Sequence, residues 1–425
     1  MIIEGLFLAA LVLLWLLCGV WVGLALTAAA AVVLWLYTET PPAALFAFDA
    51  WETLTTPELI ALPLFIWMGE ILFRTRLAAG LLSGISPLAA RLPGGLLHTN
   101  VLGCTMFAAV SGSSAATAAT VGRMTLGELQ TRGYDRSISL GSLAGAGTLG
   151  FLIPPSIILI IYGVVSETSI LSLFLAGIVP GILLALLYSL YIAVRCRLDP
   201  ALAPAHEVAP LRQGIRGLLG TLPVIGLIIL VIGSMYAGIA SPSEAAVLGV
   251  AGALVLAVVR REITFRDMLD SLHGAIRTSA MIGLILVGAL FLSKVAAFLE
   301  LPTAVAGVVE VWVANPLLLV LMLTLFYLVL GCFLDGMSTI LMTLPIVLPA
   351  VLAAGFDAIW FGIFLVLVIE MAQITPPVGF NLFVIQGLTQ DKLGRIAIAA
   401  FPFFLLTGLM VLVITLFPGL VHVFA

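Results

Sequence analysis

Ser111-Gly112-Ser113-Ser114, Gly133-Tyr134-Asp135, Gly147-Thr148-Leu149-Gly150 and Pro154-Pro155-Ser156 punctuate a stretch, Ser111 to Gly163, otherwise apolar enough to cross a bilayer. The same punctuation returns 222 positions later, where Gly133, Asp135, Pro154 and Pro155 meet Gly355, Asp357, Pro376 and Pro377. At that shift Tyr134 meets Phe356, Thr117 meets Thr339, and Ser113 meets Asp335. Matches at turn and breaker positions carry more weight than Leu against Val, so the chain reads as an internal repeat covering both halves.

Composition sets the solvent. With 63% hydrophobic and 9% charged residues over 425 positions, the chain reads as an all-α polytopic membrane protein. A net charge of −4 points to no acidic or basic partner, and nothing suggests nucleic acid. Cys18, Cys104, Cys196 and Cys332 lie in or beside apolar segments without CxxC spacing, so they read as core residues, not as a disulfide or transition-metal framework. The N-terminus lacks a basic n-region and its apolar run continues to Tyr37, which argues against a cleavable signal peptide.

Leu6–Tyr37 exceeds one span of about 20 residues and splits near Gly19–Gly23. Thr38–Thr56 reads as a connection without Lys or Arg, Pro57–Phe73 as a third span ending at Arg74 and Arg76, and Arg91 with Pro93-Gly94-Gly95 as the close of a basic connection. Residues 96–128 hold no uninterrupted span. Two arms of roughly 15 residues, each about 22 Å long, pass the midplane of a ~30 Å core and go no further. This predicts a re-entrant hairpin with Ser111–Ser114 at its tip, entering from the basic side.

An interrupted span follows at 137–165, then an outer turn Ser166–Ser169, a returning span Ile170–Val194, and a cytoplasmic linker at 195–216. Residues 217–425 repeat the order: spans near Gly217–Tyr236, Glu244–Val259 and Thr278–Leu299, with a basic inner loop Arg260–Arg277. The second hairpin is expected at 316–353 with its tip near Leu334-Asp335-Gly336, and the second broken helix at 358–386. Asp391, Lys392 and Arg395 lie inside, and a last span ends at Pro418. The flanks Ala314-Asn315 and Gly355–Asp357 of the second hairpin lack basic residues, so it enters from outside. The expectation is an inverted repeat, residues 1–194 and 217–425, each of about five transmembrane helices plus one hairpin, with both termini outside.

An unpartnered backbone group in hydrocarbon costs several kcal/mol, so breaks at that depth survive where they line a polar cavity or bind something. Two tips and two broken helices converging near the midplane suit an alkali cation through carbonyl and hydroxyl oxygens, and an anion through helix N-termini. Asp335, inside an apolar segment, reads as a functional carboxylate. Glu370, the counterpart of Thr148, reads equally as a cation ligand or as a helix–helix hydrogen bond. Glu70 is expected to pair with Arg74, Lys294 and Glu300 to sit near the outer interface, and the four histidines receive no role.

At these residues, with Ala115–Thr117, Ile161-Tyr162-Gly163, Phe333-Leu334-Asp335, Pro345, Pro349 and Ile374–Gly379 followed by Asn381-Leu382-Phe383, the chain resembles the large membrane subunit of TRAP transporters (tripartite ATP-independent periplasmic transporters). The resemblance covers nearly the whole chain. It implies sodium-coupled uptake of an organic anion, a carboxylate such as a C4-dicarboxylate or sugar acid, across a bacterial inner membrane. It implies two partners besides membrane lipid: a soluble periplasmic substrate-binding protein and a small four-helix membrane subunit, separate because the chain is too short to contain it. It also implies an elevator, in which a transport domain of hairpins and broken helices moves against a scaffold. Carried over, the sodium ions would be held at Ser111, Ser113, Gly147 and Thr148, and at Asp335, Gly336 and Thr375. Substrate would lie between them, at Ser113, Ser114, Pro155, Ser156 and Pro377. Gly19-Val20-Trp21-Val22 departs from the family, which often has a Pro at this break.

Three other readings compete. A stand-alone sodium–dicarboxylate symporter shares the architecture and needs no binding protein. A passive channel would lack coupling. An intramembrane enzyme is disfavoured: Ala109-Val110-Ser111-Gly112 lacks the first Gly of a rhomboid serine loop, no His stands in a suitable distal span, there is no HExxH, and no P-loop Lys follows Gly147–Gly150.

Overall fold

The computed structural model describes residues 2–75, 77–204, 211–301 and 316–424. Arg76, the linker segment 205–210 with His206 and Pro210, and Ala314-Asn315 lie outside the described residues. The first half contains α1 (Ile2–Leu17), α2 (Val22–Tyr37), α3 (Pro42–Leu54), α4 (Ala61–Arg74), α5 (Leu77–Ala89), α6 (Leu97–Ser111), α7 (Ser114–Thr131), α8 (Arg136–Thr148), α9 (Ile157–Val165) and α10 (Ile170–Leu198). The second contains α11 (Leu211–Tyr236), α12 (Pro242–Val259), α13 (Phe265–Phe298), α14 (Pro316–Gly331), α15 (Gly336–Ala353), α16 (Ala358–Gln373), α17 (Phe380–Thr389) and α18 (Leu393–Leu416). Among the described residues six helices are individually long and apolar enough to cross a membrane, and the bent pair α3–α4 makes a seventh. The protein is an all-helical, multi-pass membrane protein.

Both expected hairpins are helix pairs with a short break, at Gly112-Ser113 and at Cys332–Asp335, and both interrupted spans are broken between 149 and 156 and between 374 and 379. The positions that recur in sequence do the same local work. Gly133 and Gly355 both take positive φ, 79° and 85°, which an L side chain resists. Asp135 accepts the Ile138 N–H at 2.9 Å and Asp357 the Trp360 N–H at 2.8 Å, each capping the helix that follows. Ser113 and Asp335 are likewise the N-caps of α7 and α15. Thr117 and Thr339 each donate back four residues, to Ser113 O and Asp335 O. The bonds Pro154-Pro155 and Pro376-Pro377 are both cis.

Four expected boundaries move. Thr38–Thr56 is mostly the helix α3, with Pro42 in its first turn, where a missing N–H costs nothing. The connection before the first hairpin holds α5. The expected loop Arg260–Arg277 is helical from Phe265 onward, because Thr264 and Asp267 form a reciprocal capping box that starts α13. The linker 195–216 shortens from both sides, since α10 runs to Leu198 and α11 starts at Leu211.

Packing sorts the helices into two sets, α1–α5 with α11–α13, and α6–α10 with α14–α18, which touch mainly through α4, α5 and α13. In the first set α2 and α13 approach closely: a methyl group on Gly23 would lie 2.6 Å from Leu284 O, and one on Gly288 2.5 Å from Gly23 O. Glu70 and Arg74 pair at 3.5 Å as expected, and Trp67 donates to Ser271 across α4 and α13 at 3.1 Å. The second set surrounds the helix breaks, and Phe361, Phe364 and Tyr188 are fully buried within it.

Candidate functional site: two hairpin tips on two broken helices

The first tip reverses at Gly112, whose φ of 59° ends α6 in the left-handed region. It is docked, not free. The Ile157 N–H reaches Gly112 O at 3.4 Å, and a methyl group on Gly112 would meet Pro155 O at 2.7 Å. A methyl group on Gly150 would lie 2.9 Å from the Ser113 backbone, and one on Gly69 of α4 3.1 Å from Ser111 O. Within the tip, the Ser111 and Thr117 hydroxyls meet at 2.9 Å, and Thr117 donates to Ser113 O at 2.7 Å. Ser111, Ser113, Pro155 and the 149–156 break are therefore brought together.

Two contacts then join the halves of the chain. Ser114 Oγ donates to Asn381 Oδ1 at 2.8 Å, both residues fully buried. Thr148 Oγ1 donates to Gly145 O at 2.8 Å and lies 3.4 Å from Glu370 Oε2, again with both residues fully buried. Thr148 and Glu370 are 222 positions apart, so the second contact joins the two broken helices through residues related by the shift seen in the sequence. This is the helix–helix hydrogen bond that one of the two sequence readings of Glu370 expects.

The second tip lies over both broken helices. A methyl group on Gly336 would meet Ile369 at 2.7 Å and Ile158 at 3.0 Å. Asp335, read from sequence as a functional carboxylate, accepts the N–H groups of Met337 and Ser338 at 3.1 and 3.2 Å and the Ser338 hydroxyl. Thr375 donates to Met371 O at 2.7 Å and is joined to Asp335 by no hydrogen bond among the described residues. Gly147 and Thr148 fall in the last turn of α8, so the unwound segment begins after them. Ser156 is fully buried, donating to Phe151 O at 2.5 Å and capping α9. Pro155 is buried, whereas Pro376 and Pro377 are exposed, so the two breaks differ in access.

Sequence reasoning named Asn381 only within a motif and gave Gln373 no role. Both are buried; the Asn381 amide nitrogen and both polar atoms of Gln373 have no hydrogen-bond partner among the described residues. The signal was available: their counterparts at the first break, Leu159 and Phe151, are apolar, so the polarity is particular to the second break.

Helical hairpins set tip-first against interrupted helices, with hydrogen-bonding groups from both halves meeting in the interior, are an arrangement found in membrane transporters. A sequence profile described as "Tripartite ATP-independent periplasmic transporter, DctM component" matches residues 8–420, and the chain belongs to that family. It is 32% identical over 379 residues to a C4-dicarboxylate TRAP transporter large permease of Pseudomonas aeruginosa, covering 88% of this chain and 87% of the relative. It is 31% identical to an ectoine/5-hydroxyectoine TRAP transporter large permease of Ruegeria pomeroyi, covering 82% and 81%. The crystal structure of the Alcanivorax borkumensis YdaH transporter shares the fold, with a TM-score of 0.64 over 88% of this chain at 15% identity. The protein is a permease and not an enzyme.

Proposed function

We propose that this chain is the subunit through which a small organic acid crosses the bacterial inner membrane, coupled to inward sodium flow and delivered by a periplasmic binding protein. A small membrane subunit completes the complex, and both termini face the periplasm. The observation that carries the reading is the interlocking of tip and break, Ser114 with Asn381 and Gly112 with Pro155 and Ile157. It supports reading the hairpins and broken helices as one body that moves as a unit against α1–α5 and α11–α13. Support for the solute comes from relatives named for a C4-dicarboxylate and for ectoine. Sodium would be held by hard oxygens: the Ser111 and Ser113 carbonyls and hydroxyls with the Gly147-Thr148 end of α8 at one tip, and the Asp335-Gly336 turn with Thr375 at the other. The solute would sit between, against Ser113, Ser114, Pro155, Ser156 and Pro377, with its carboxylate on the N-terminal dipoles of α7 and α9.

The test is uptake into proteoliposomes holding this chain and its small partner, with and without an inward sodium gradient and with and without the binding protein. Uptake requiring both is the expected result. Uptake of free solute without the binding protein would establish the stand-alone symporter instead.

A further inference from the structure

A cleft of about 960 Å³ separates the α3–α4 bend from the outgoing end of α9. It opens where the turns Ser166–Ser169 and Ala237–Ser241 carry no Lys or Arg. Its walls carry four carboxylates, Asp49, Glu52, Glu58 and Glu167, against one ammonium, Lys294. That ammonium is already engaged, 2.5 Å from Asp49 Oδ1 and 3.1 Å from Glu52 Oε2. Asp49 is only 1% exposed, and its second oxygen, Oδ2, has no hydrogen-bond partner among the described residues.

We propose that this cleft is a vestibule for the positively charged nitrogen of the solute, so that the acid carried is a zwitterion and not a dianion. The inference rests on the permease reading and narrows its substrate. A cleft with low-dielectric walls focuses the field of its excess carboxylates, raising the local concentration of cations and lowering that of anions. Within a Debye length of about 8 Å that field is not screened away. A dicarboxylate would enter against it twice over, whereas a zwitterion can lead with its nitrogen and carry its carboxylate behind. The occupant is polyatomic: the volume suits a small organic molecule, and no three His, Cys, Asp or Glu side chains among the described residues converge to hold a metal ion.

The test places a thiol in the cleft, as Ser293→Cys, in the full chain with exposed Cys18 changed to Ser, in right-side-out membrane vesicles. Rates of modification by a trimethylammonium methanethiosulfonate and by its sulfonate analogue are divided by those of a free thiol. The expected preference for the cationic reagent is at least about tenfold. It should collapse in Glu58→Gln/Glu167→Gln, and shrink with added salt in the parent protein, a readout that needs no second variant to fold. Glycine betaine should slow the labelling and succinate should not. Equal rates for the two reagents, protection by succinate, or protection by sodium chloride greater than that by potassium chloride at equal ionic strength would each overturn the proposal. Failure of the permease reading would show separately, as absence of uptake in proteoliposomes, since the labelling requires no transport.

Discussion

Ser114 has one hydroxyl proton and gives it to Asn381 Oδ1, in a place no water reaches. Asn381→Leu removes the acceptor and leaves that hydroxyl buried and unpaired, a cost of about 1–3 kcal/mol. The expected outcome is a lower thermal unfolding midpoint in detergent, with Ser114→Ala/Asn381→Leu recovering part of the loss. Ser113 and Asp335 show how far single residues could be read in advance. Their correspondence was visible because both types cap helices, and both do so here. Whether either also binds a cation is invisible in residue type, because the same oxygens serve both tasks. Asp335→Asn separates them: Asn caps nearly as well as Asp, so the folded yield should hold. On the proposed mechanism the sodium concentration for half-maximal uptake should rise several-fold. Unchanged sodium dependence would leave Asp335 as a cap alone.

Elements were legible where breakers are unambiguous and illegible where a helix carries charge. The tips and interruptions followed from Gly, Ser and Pro, whose backbone preferences act locally. The helix α3 was missed because Pro41-Pro42 looks like a stop signal and Asp49 and Glu52 look like loop residues, although Pro42 opens the helix and both acids lie on the Lys294 side. The start of α13 was missed because its charges lie beyond the bilayer core: 34 residues make a rod of about 51 Å, against a core of about 30 Å. Its counterpart in the first half is the α3–α4 pair, bent by 59° where Thr56 precedes Pro57. At the tip of the first hairpin, Gly112→Ala meets both a left-handed backbone and the Pro155 carbonyl. Uptake should fall by at least an order of magnitude while the chain still inserts, checked by vesicle uptake against immunoblotted membrane content; Ala115→Gly, one turn away, should do far less.

For the whole molecule, the two broken helices are tied at both ends. At one, Arg136 at the start of α8 pairs with Asp391 beyond α17, at 2.7 and 3.0 Å. At the other, the Tyr162 hydroxyl in α9 donates to Ala358 O at the start of α16, at 2.6 Å. Arg136 and Ala358 are corresponding positions, so each half's broken helix is anchored at its entry to the other half's exit. The pairing was hidden in sequence, since one tie uses a carboxylate and the other a backbone carbonyl, and the repeat preserves the place but not the chemistry. Arg136→Asp or Asp391→Arg alone should depress uptake and thermal stability together. The double exchange should restore much of both, because both side chains are partly shielded from screening by solvent.

The contacts joining the halves also fix an order of events during synthesis. Ser114 and Asn381 are 267 residues apart, and Thr148 and Glu370 are 222 apart. At about 5–20 residues per second, the earlier partner leaves the ribosome on the order of 10–50 s before the later one exists. For that interval the first hairpin has its own broken helix to dock on, through Gly112, Pro155 and Ile157, but Ser114 and Thr148 have no partners from the second half. The interlock between the halves therefore closes only late in translation, after the first half has left the ribosome.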